Sequence, residues 1–496
     1  MRPLNPRQKT GLVAGAVFVA ALSCWPPRAL VAYEGSTTLT GLTEQAALKS
    51  KLHRRTLDRF ALSLGLFEPL SLDPALLDSE HRQDLVLRLL SLDAGQGHAP
   101  WILERKSGQS VAPMGQTVLG WLSAGAALEQ TPTDRVRHHF VNGKNGQGLS
   151  RPAGQTSVAA VAASVENGIS TPRQLLSGGA MDGTGQSGLA WLDSPDNSLG
   201  SASFAAAYER AVTAQTPQAR ETALVEMLLA TGAMLAVLEQ TGDPAYVHND
   251  LSTVLAGEYA AFVSERYGRA GVPEPSQTLS LPTVERFQDL LFDGKGGGLA
   301  ERTSSRFLST PNFDAKQLPS ATMLVGKGGY LSTDSVRHFV RWDKTPNNAG
   351  LYPFSFRLDE RCYADYAASL LPEIGRFAQA GLDFLLRGDL KLSLVGETQL
   401  HVTLLDQPLG SGVLTLFGET PTGERRLLTQ LATLPSRPGL MGQIPLQAIP
   451  LSGFAKFVVL WKGKDQKGQP LLTSAQLNLR KTEAEPIPAS PPEIVD

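Results

Sequence analysis

The sequence predicts a multidomain, mainly α-helical protein that ends in a small β-sandwich. Between residue 40 and about residue 388, apolar residues recur at the three- and four-residue spacings of amphipathic helices. After Gly388 they alternate with polar residues, as in half-buried strands. The chain has 496 residues, 42% hydrophobic and 19% charged, which is ordinary for a globular protein with a large core. We therefore expect an all-α domain over residues 33–388 and an immunoglobulin-like sandwich over residues 389–481.

The amino terminus has the pattern of an export signal. Three basic residues precede an apolar run from Gly11 to Trp25, and Pro26 and Pro27 end this run. The run is shorter than the roughly 18 residues of a membrane-spanning helix. We predict a signal peptide over residues 1–32 and an exported product in the periplasm, at the cell surface or outside the cell, with no transmembrane domain in the mature chain. Lipidation at Cys24 and retention as an uncleaved anchor are the alternatives.

The helical region contains one long predicted helix, over residues 220–240, whose leucines and methionines form an apolar stripe. Ala236 and Gln240 lie one turn apart on a neighbouring face of this helix. Residues 142–192 shift to Gly, Ser, Thr and Gln, which predicts a long surface loop. The proline-rich residues 482–496 are predicted to be disordered.

The segment GAMLAVLEQTGDPAYVHND, residues 232–250, carries a family resemblance. It is similar to the metal-binding helix of the bacterial secreted zinc-dependent phospholipase C and single-strand nuclease superfamily, which reads His-x-x-x-Asp and has a second His just after Pro-Ala. Pro244 and Ala245 keep the frame, but the three ligand positions fall on Ala236, Gln240 and Tyr246. The resemblance implies a phospholipase C-like helical fold whose metal site is degenerate.

Further landmarks extend the resemblance from about residue 38 to residue 388, including Arg135-x-x-x-His139-Phe140 and the blocks at residues 297–309 and 363–388. The other ligand positions that the resemblance implies fall on Leu39, Gln130, His139, Val254 and Glu258. Zinc takes imidazole, thiolate or carboxylate ligands, usually at least three from the protein. Because only His139 and Glu258 are capable ligands, we expect no metal and no other cofactor.

The sequence therefore predicts a noncatalytic binding or scaffold protein that keeps the inherited cleft. The residues expected to line this cleft are Glu129, Gln130, His139, Ala236, Gln240, Tyr246 and Glu258. The expected partner is an envelope or extracellular protein, a lipid or a glycan. The formal net charge of −2, from 45 Lys and Arg against 47 Asp and Glu, gives no electrostatic footprint for nucleic acid.

The alternative function is a phosphoester hydrolase with a relocated single zinc ion. His139 and Glu258 would bind this ion, with Glu129, His248 or Asp250 recruited as further ligands. The sequence has two cysteines, Cys24 and Cys362, so removal of the signal peptide leaves no pair for a disulfide.

Overall fold

The computed structural model describes residues 35–77, 84–89, 92, 114–130, 133–149, 185–250, 253–254, 257–268, 273, 280–309, 312–313, 318, 323–325, 329–333, 336–344, 354–396, 398–447, 449 and 451–479. The predicted signal peptide and the predicted disordered tail lie outside these residues. Residues 150–184, the larger part of the predicted Gly/Ser-rich loop, also lie outside them.

The helices in the described part of the chain are α1 Thr40–Lys49, α2 Leu52–Phe60, α3 Val118–Leu128, α4 Gly188–Leu192, α5 Ser201–Thr213, α6 Pro217–Gln240, α7 Pro244–Val247, α8 Glu258–Tyr267, α9 Phe287–Leu291, α10 Leu299–Arg306 and α11 Glu360–Leu385. Short 3-10 turns span Gly65–Phe67, Pro74–Leu76, Thr133–His138 and Leu451–Gly453, and a π-turn at Gly35–Leu39 precedes α1.

The centre of the helical region is α6. The Thr216 hydroxyl caps its first turn by accepting the Ala219 N–H at 3.3 Å. Glycines let α6 and α3 touch backbone to backbone, because a Cβ added at Gly232 would lie 1.9 Å from a backbone oxygen of α3. Among the described residues, α6 is the helix long and apolar enough to cross a membrane, but 89% of its apolar window is buried inside the protein. The predicted helix is thus confirmed, and its burial extends around the whole helix rather than along one stripe.

The strands are β1 Pro69–Leu72, β2 Met114–Thr117, β3 Asn312–Phe313, β4 Met323–Val325, β5 Tyr330–Thr333, β6 Val336–Lys344, β7 Phe354–Arg357, β8 Leu390–Val395, β9 Gln399–Leu404, β10 Leu409–Glu419, β11 Arg425–Thr433, β12 Gly439–Pro445, β13 Lys456–Asp465 and β14 Pro470–Asn478. They pair in antiparallel sheets with the orders β1-β2, β3-β7-β6-β5-β4, β12-β9-β8 and β11-β10-β13-β14.

The expectation of a mainly α chain with strands only at its carboxyl end is wrong. Helix makes up 46% of the structure and strand 25%, so the class is mixed α and β. Two of the sheets, β1-β2 and the five-stranded one, lie inside the segment predicted to be all-α. The five-stranded sheet covers α11, and the Tyr366 hydroxyl of α11 donates to the Phe339 carbonyl of β6 at 2.9 Å. Its apolar side chains bury against a helix, which the local sequence pattern does not encode.

The two carboxyl-terminal sheets enclose a hydrophobic cluster of their own, which includes Val402, Leu416 and Trp461. The opposite face of β13 packs on the helical region, because Val458 and Leu460 belong to the main core. The apolar run in β13 is therefore buried on both faces. At the start of β8, Asp389 accepts from Arg59 Nη2 at 2.6 Å, a second contact between the helices and the sandwich.

Candidate functional site

Three of the predicted site residues meet in a closed polar cluster inside the helical region. Glu129 caps the end of α3, His139 follows the Thr133–His138 turn, and Gln240 is the last residue of α6. His139 Nε2 lies 3.1 Å from Glu129 Oε1, and His139 Nδ1 contacts Gln240 Oε1. We call these residues, together with Arg135 and Trp191, the core polar cluster.

Arg135 and Trp191 complete the hydrogen bonding of Glu129. Arg135 Nη2 donates to Glu129 Oε2 at 2.5 Å, and the Trp191 indole N–H donates to Oε1 at 2.7 Å. The Trp191 ring stacks on His138 at 4.2 Å between centroids, and the Arg135 guanidinium lies 4.9 Å from its ring centroid. Asn197 Oδ1 accepts a further bond from Arg135 at 2.7 Å. The carboxylate is thus held by one cation, one imidazole and one indole.

Burial and charge fix the chemical state of this cluster. Glu129, His139 and Gln240 are each 0% exposed. Burial by itself would raise the pKa of the Glu129 carboxyl, but the charges and hydrogen bonds of Arg135 and His139 outweigh it and lower this pKa to about 2. Glu129 is therefore an ionised, paired carboxylate rather than a free acid or base.

The hydrogen bonds of His139 leave neither ring nitrogen free for a metal ion. As oriented, Gln240 Oε1 and Glu129 Oε1 both face the ring and both accept. With the Gln240 amide reversed, its Nε2 would donate to His139 Nδ1, and His139 Nε2 would still donate to Glu129. In both orientations the two ring nitrogens are engaged. The arrangement suits a structural polar network more than ligation.

The apolar substitutions at the predicted ligand positions fill space in the core. Leu39 and Ala236 are 0% exposed and belong to the main hydrophobic cluster. Tyr246, also 0% exposed, stacks on Phe140 at 4.4 Å, and Val254 packs in the same small cluster. These side chains lie inside the protein and do not line an open cleft. Gln130, next to Glu129, is partly buried.

The alternative metal ligands have separate hydrogen-bonding roles. Glu258 is an exposed residue at the start of α8, and its carboxylate accepts from the Tyr363 hydroxyl at 3.0 Å. His248 Nε2 lies 2.8 Å from the carbonyl oxygen of Phe307. Asp250 Oδ2 accepts from the Thr253 hydroxyl at 2.8 Å.

Within the described ranges, no three His, Cys, Asp or Glu side chains come close enough together to hold a metal ion. A relocated site built on His139 is therefore not assembled in this part of the chain.

Sequence reasoning missed the burial of two carboxyls, one at the end of α6 and one just beyond it. Glu239 is 0% exposed and accepts from the Thr43 hydroxyl at 2.9 Å, and burial raises its pKa well above the usual range. Asp243 is 4% exposed and caps α7 by accepting the Ala245 N–H at 2.8 Å. The sequence signal for Glu239 is a carboxyl within an otherwise apolar helix end, and that for Asp243 is the Asp-Pro-Ala tripeptide, which is typical of a helix cap. Both carboxyls are buried without a cation beside them, so burial disfavours their ionised forms.

Comparison of the chain with protein families, with characterised proteins and with solved structures gave no match. The resemblance to the phospholipase C-like superfamily consequently stays a prediction.

Proposed function

We propose that this protein is an exported, noncatalytic binding or scaffold protein, whose helical domain keeps a phospholipase C-like frame without its metal chemistry. One observation carries the proposal: the polar residues that would form an active centre are buried and paired with one another. Arg135 supplies the positive charge beside Glu129, and His139 is bonded on both ring nitrogens. A guanidinium in this position repels a metal cation.

Substrate access supports the same proposal. A hydrolase needs its reacting groups within hydrogen-bond reach of a bound substrate. Glu129, His139 and Gln240 are 0% exposed, so a phosphoester cannot touch them without local opening of the helices. The surface of the protein is then the place for binding, and an envelope or extracellular protein, a lipid or a glycan is the proposed partner.

The experiment has a chemical arm and a binding arm. The chain from residue 33 onward is purified without chelator, its metal content is measured by elemental analysis, and it is assayed on phosphoester substrates with and without added zinc. We expect less than stoichiometric metal and no hydrolysis above buffer. One equivalent of transition metal, lost together with hydrolysis in His139→Ala but retained in His401→Ala on the sandwich, would contradict the proposal.

The binding arm uses the same protein against vesicles of defined lipid composition, a glycan panel and immobilised envelope proteins. Saturable binding to one of these classes, undiminished in His139→Ala, is the expected result. Failure to bind in all three assays by the folded protein removes the binding function even if the metal is absent.

A further inference from the structure

A cluster of positive charge lies where the helical region meets the sandwich. Glu419, the last residue of β10, is surrounded by three cations. Arg425 Nε donates to its Oε2 at 2.8 Å, Arg220 Nη2 lies 3.4 Å from Oε2, and Lys456 Nζ lies 3.3 Å from Oε1. The three cations therefore share one carboxylate at this position.

The two arginines also hold the two parts of the protein together. Arg220, on α6, donates to the Gly423 carbonyl of the sandwich at 2.7 Å. Arg425, on β11, donates through Nη1 to the Val212 carbonyl of α5. Burial is the main cause that lowers the pKa of Arg220, and the charge of Arg425 lowers this pKa further, to about 10. The positive potential is therefore built into a fixed joint rather than carried on mobile surface chains.

A cavity of about 300 Å³ opens beside this charge cluster. Phe60 and Leu62, both partly exposed, are among its apolar lining residues, and the three cations and Glu419 border it. A neighbouring cavity of about 450 Å³ shares Leu62 and Lys456 with the first. The pair of cavities falls within the size range of small-molecule sites, roughly 300 to 1,000 Å³.

Two further carboxylates line the cavity, and their hydrogen bonds differ from those of Glu419. Glu68 and Glu221 also line it, which balances the total charge of the lining. Their carboxylates, however, accept backbone N–H bonds, from Leu64 at 2.7 Å and from Ser71 at 2.6 Å. The cavity is thus polarised, with its positive end at the sandwich.

A strained residue lies on the wall between the two cavities. Ala61, which ends α2, has φ of 57°, a left-handed conformation that costs a non-glycine residue free energy. This conformation also ends α2, because the Ala61 N–H donates to the Thr56 carbonyl. Ala61 lines both cavities, so the turn that it forms sets the shape of their shared wall.

We propose that this cavity binds a small amphipathic anion, an alkyl or aryl carboxylate. Its carboxylate contacts Lys456, and its apolar part packs against Phe60 and Leu62, which are partly exposed. Lys456 is the selective residue, because its side chain is 28% exposed and reaches the opening of both cavities. The site is separate from the core polar cluster, and it does not depend on the resemblance to phospholipase C.

Isothermal titration of the chain from residue 33 onward with octanoate tests this proposal, with octanol and octylamine as head-group controls. We expect saturable one-site binding of octanoate and at least about tenfold weaker binding of both controls, because a charge-assisted hydrogen bond is lost. Equal binding of octylamine, or no saturation by octanoate up to about 10 mM, a concentration at which even weak sites fill, overturns the proposal.

Two variants and a matched control locate the site. Lys456→Met removes the cation and leaves Glu419 with two arginines, and it should weaken octanoate binding at least about tenfold. Lys462→Met is the control, because Lys462 lies on the same strand but pairs with Glu209 at the surface. Leu62→Trp fills the shared wall and should also abolish binding. Octanoate affinity that is unchanged in both Lys456→Met and Leu62→Trp, with thermal unfolding showing each variant folded, refutes the assignment.

Discussion

The substitution Asp243→Asn tests how a buried carboxyl sets the pH dependence of stability. Asp243 lies between α6 and α7, is 4% exposed, and accepts the Ala245 N–H at 2.8 Å. Burial raises the pKa of its carboxyl to about 7, against 3.8 for an exposed aspartate, and Asp250 adds to this rise while the Ala245 N–H opposes it. Asparagine keeps the accepting oxygen of the cap and cannot ionise.

The sign and size of the pH dependence of the free energy of unfolding follow from proton linkage. At pH below 3.8 the folded and unfolded chains both hold this proton, so the carboxyl costs nothing. As the pH rises towards about 7, the unfolded chain loses the proton and the folded chain keeps it, so the free energy of unfolding falls. About three pKa units at 1.36 kcal/mol each give a loss of about 4 kcal/mol, which stays constant at higher pH.

Urea unfolding followed by tryptophan fluorescence, between about pH 4 and about pH 8, measures this loss. Asp243→Asn should gain up to about 4 kcal/mol relative to the wild type across that range. The amide N–H groups of the substituted side chain lower the free energy of unfolding by an amount that does not depend on pH. The readout is therefore how the stability difference between variant and wild type changes with pH. The reasoning is refuted if the curves of variant and wild type run parallel.

The chain contains a matched control for this substitution. Asp73 stands in the same tripeptide, Asp-Pro-Ala, and accepts the Ala75 N–H at 2.9 Å, but it is only partly buried. Asp73→Asn preserves the same kind of cap in a solvated position. Because this side chain is only partly buried, the difference from the wild type should vary less with pH than that of Asp243→Asn. A pH-dependent difference of similar size in Asp73→Asn would assign the effect to the cap and not to burial.

Three further results are expected. Gly232→Ala should lower thermal stability by roughly 1–3 kcal/mol, because its Cβ meets a backbone oxygen, whereas Gly375→Ala, with no atom within 4 Å, should be neutral or stabilising; similar unfolding temperatures would contradict the close packing of α3 and α6. Glu129→Gln should cost about 3–5 kcal/mol in urea unfolding, because it leaves the Arg135 charge buried without its partner, and a loss below about 1 kcal/mol would mean that water reaches the cluster. Cys362, whose thiol pKa burial raises to about 12, should react with an aromatic disulfide reagent only after denaturant is added; fast labelling of the native chain from residue 33 onward would disprove this.

The sequence predicted those elements whose own pattern decides their structure. The long helix α6 and the apolar strand β13 are examples, since a sustained period or a continuous apolar run outweighs local variation. The five-stranded sheet could not be predicted in the same way. Strands such as β4 and β5 have three and four residues, and the sheet that they join packs through β6 on α11, which follows later in the chain. A tertiary contact thus decided what the local pattern left open.

Part of the candidate site was predictable as well. Glu129, His139 and Gln240 were all proposed from the sequence, and they do meet in one cluster. Arg135 and Trp191 were not assigned a role. Trp191 lies 62 residues from Glu129 along the chain, and no periodic pattern spans that separation. Because the charge state of Glu129 depends on Arg135, the chemistry of the cluster could not be derived from its predicted members alone.

The core polar cluster and the group of charges around Glu419 differ in how accessible they are to a ligand. In the core polar cluster, each donor to Glu129 is itself buried. At the joint, three cations share Glu419 beside a cavity that Phe60 and Leu62 also line. A ligand at the first cluster would have to displace hydrogen bonds that stabilise the fold, whereas one at the second would meet Lys456, whose side chain is partly exposed. A ligand is therefore expected at the contact between helices and sandwich and not at the end of α6, where the sequence predicted a degenerate metal site.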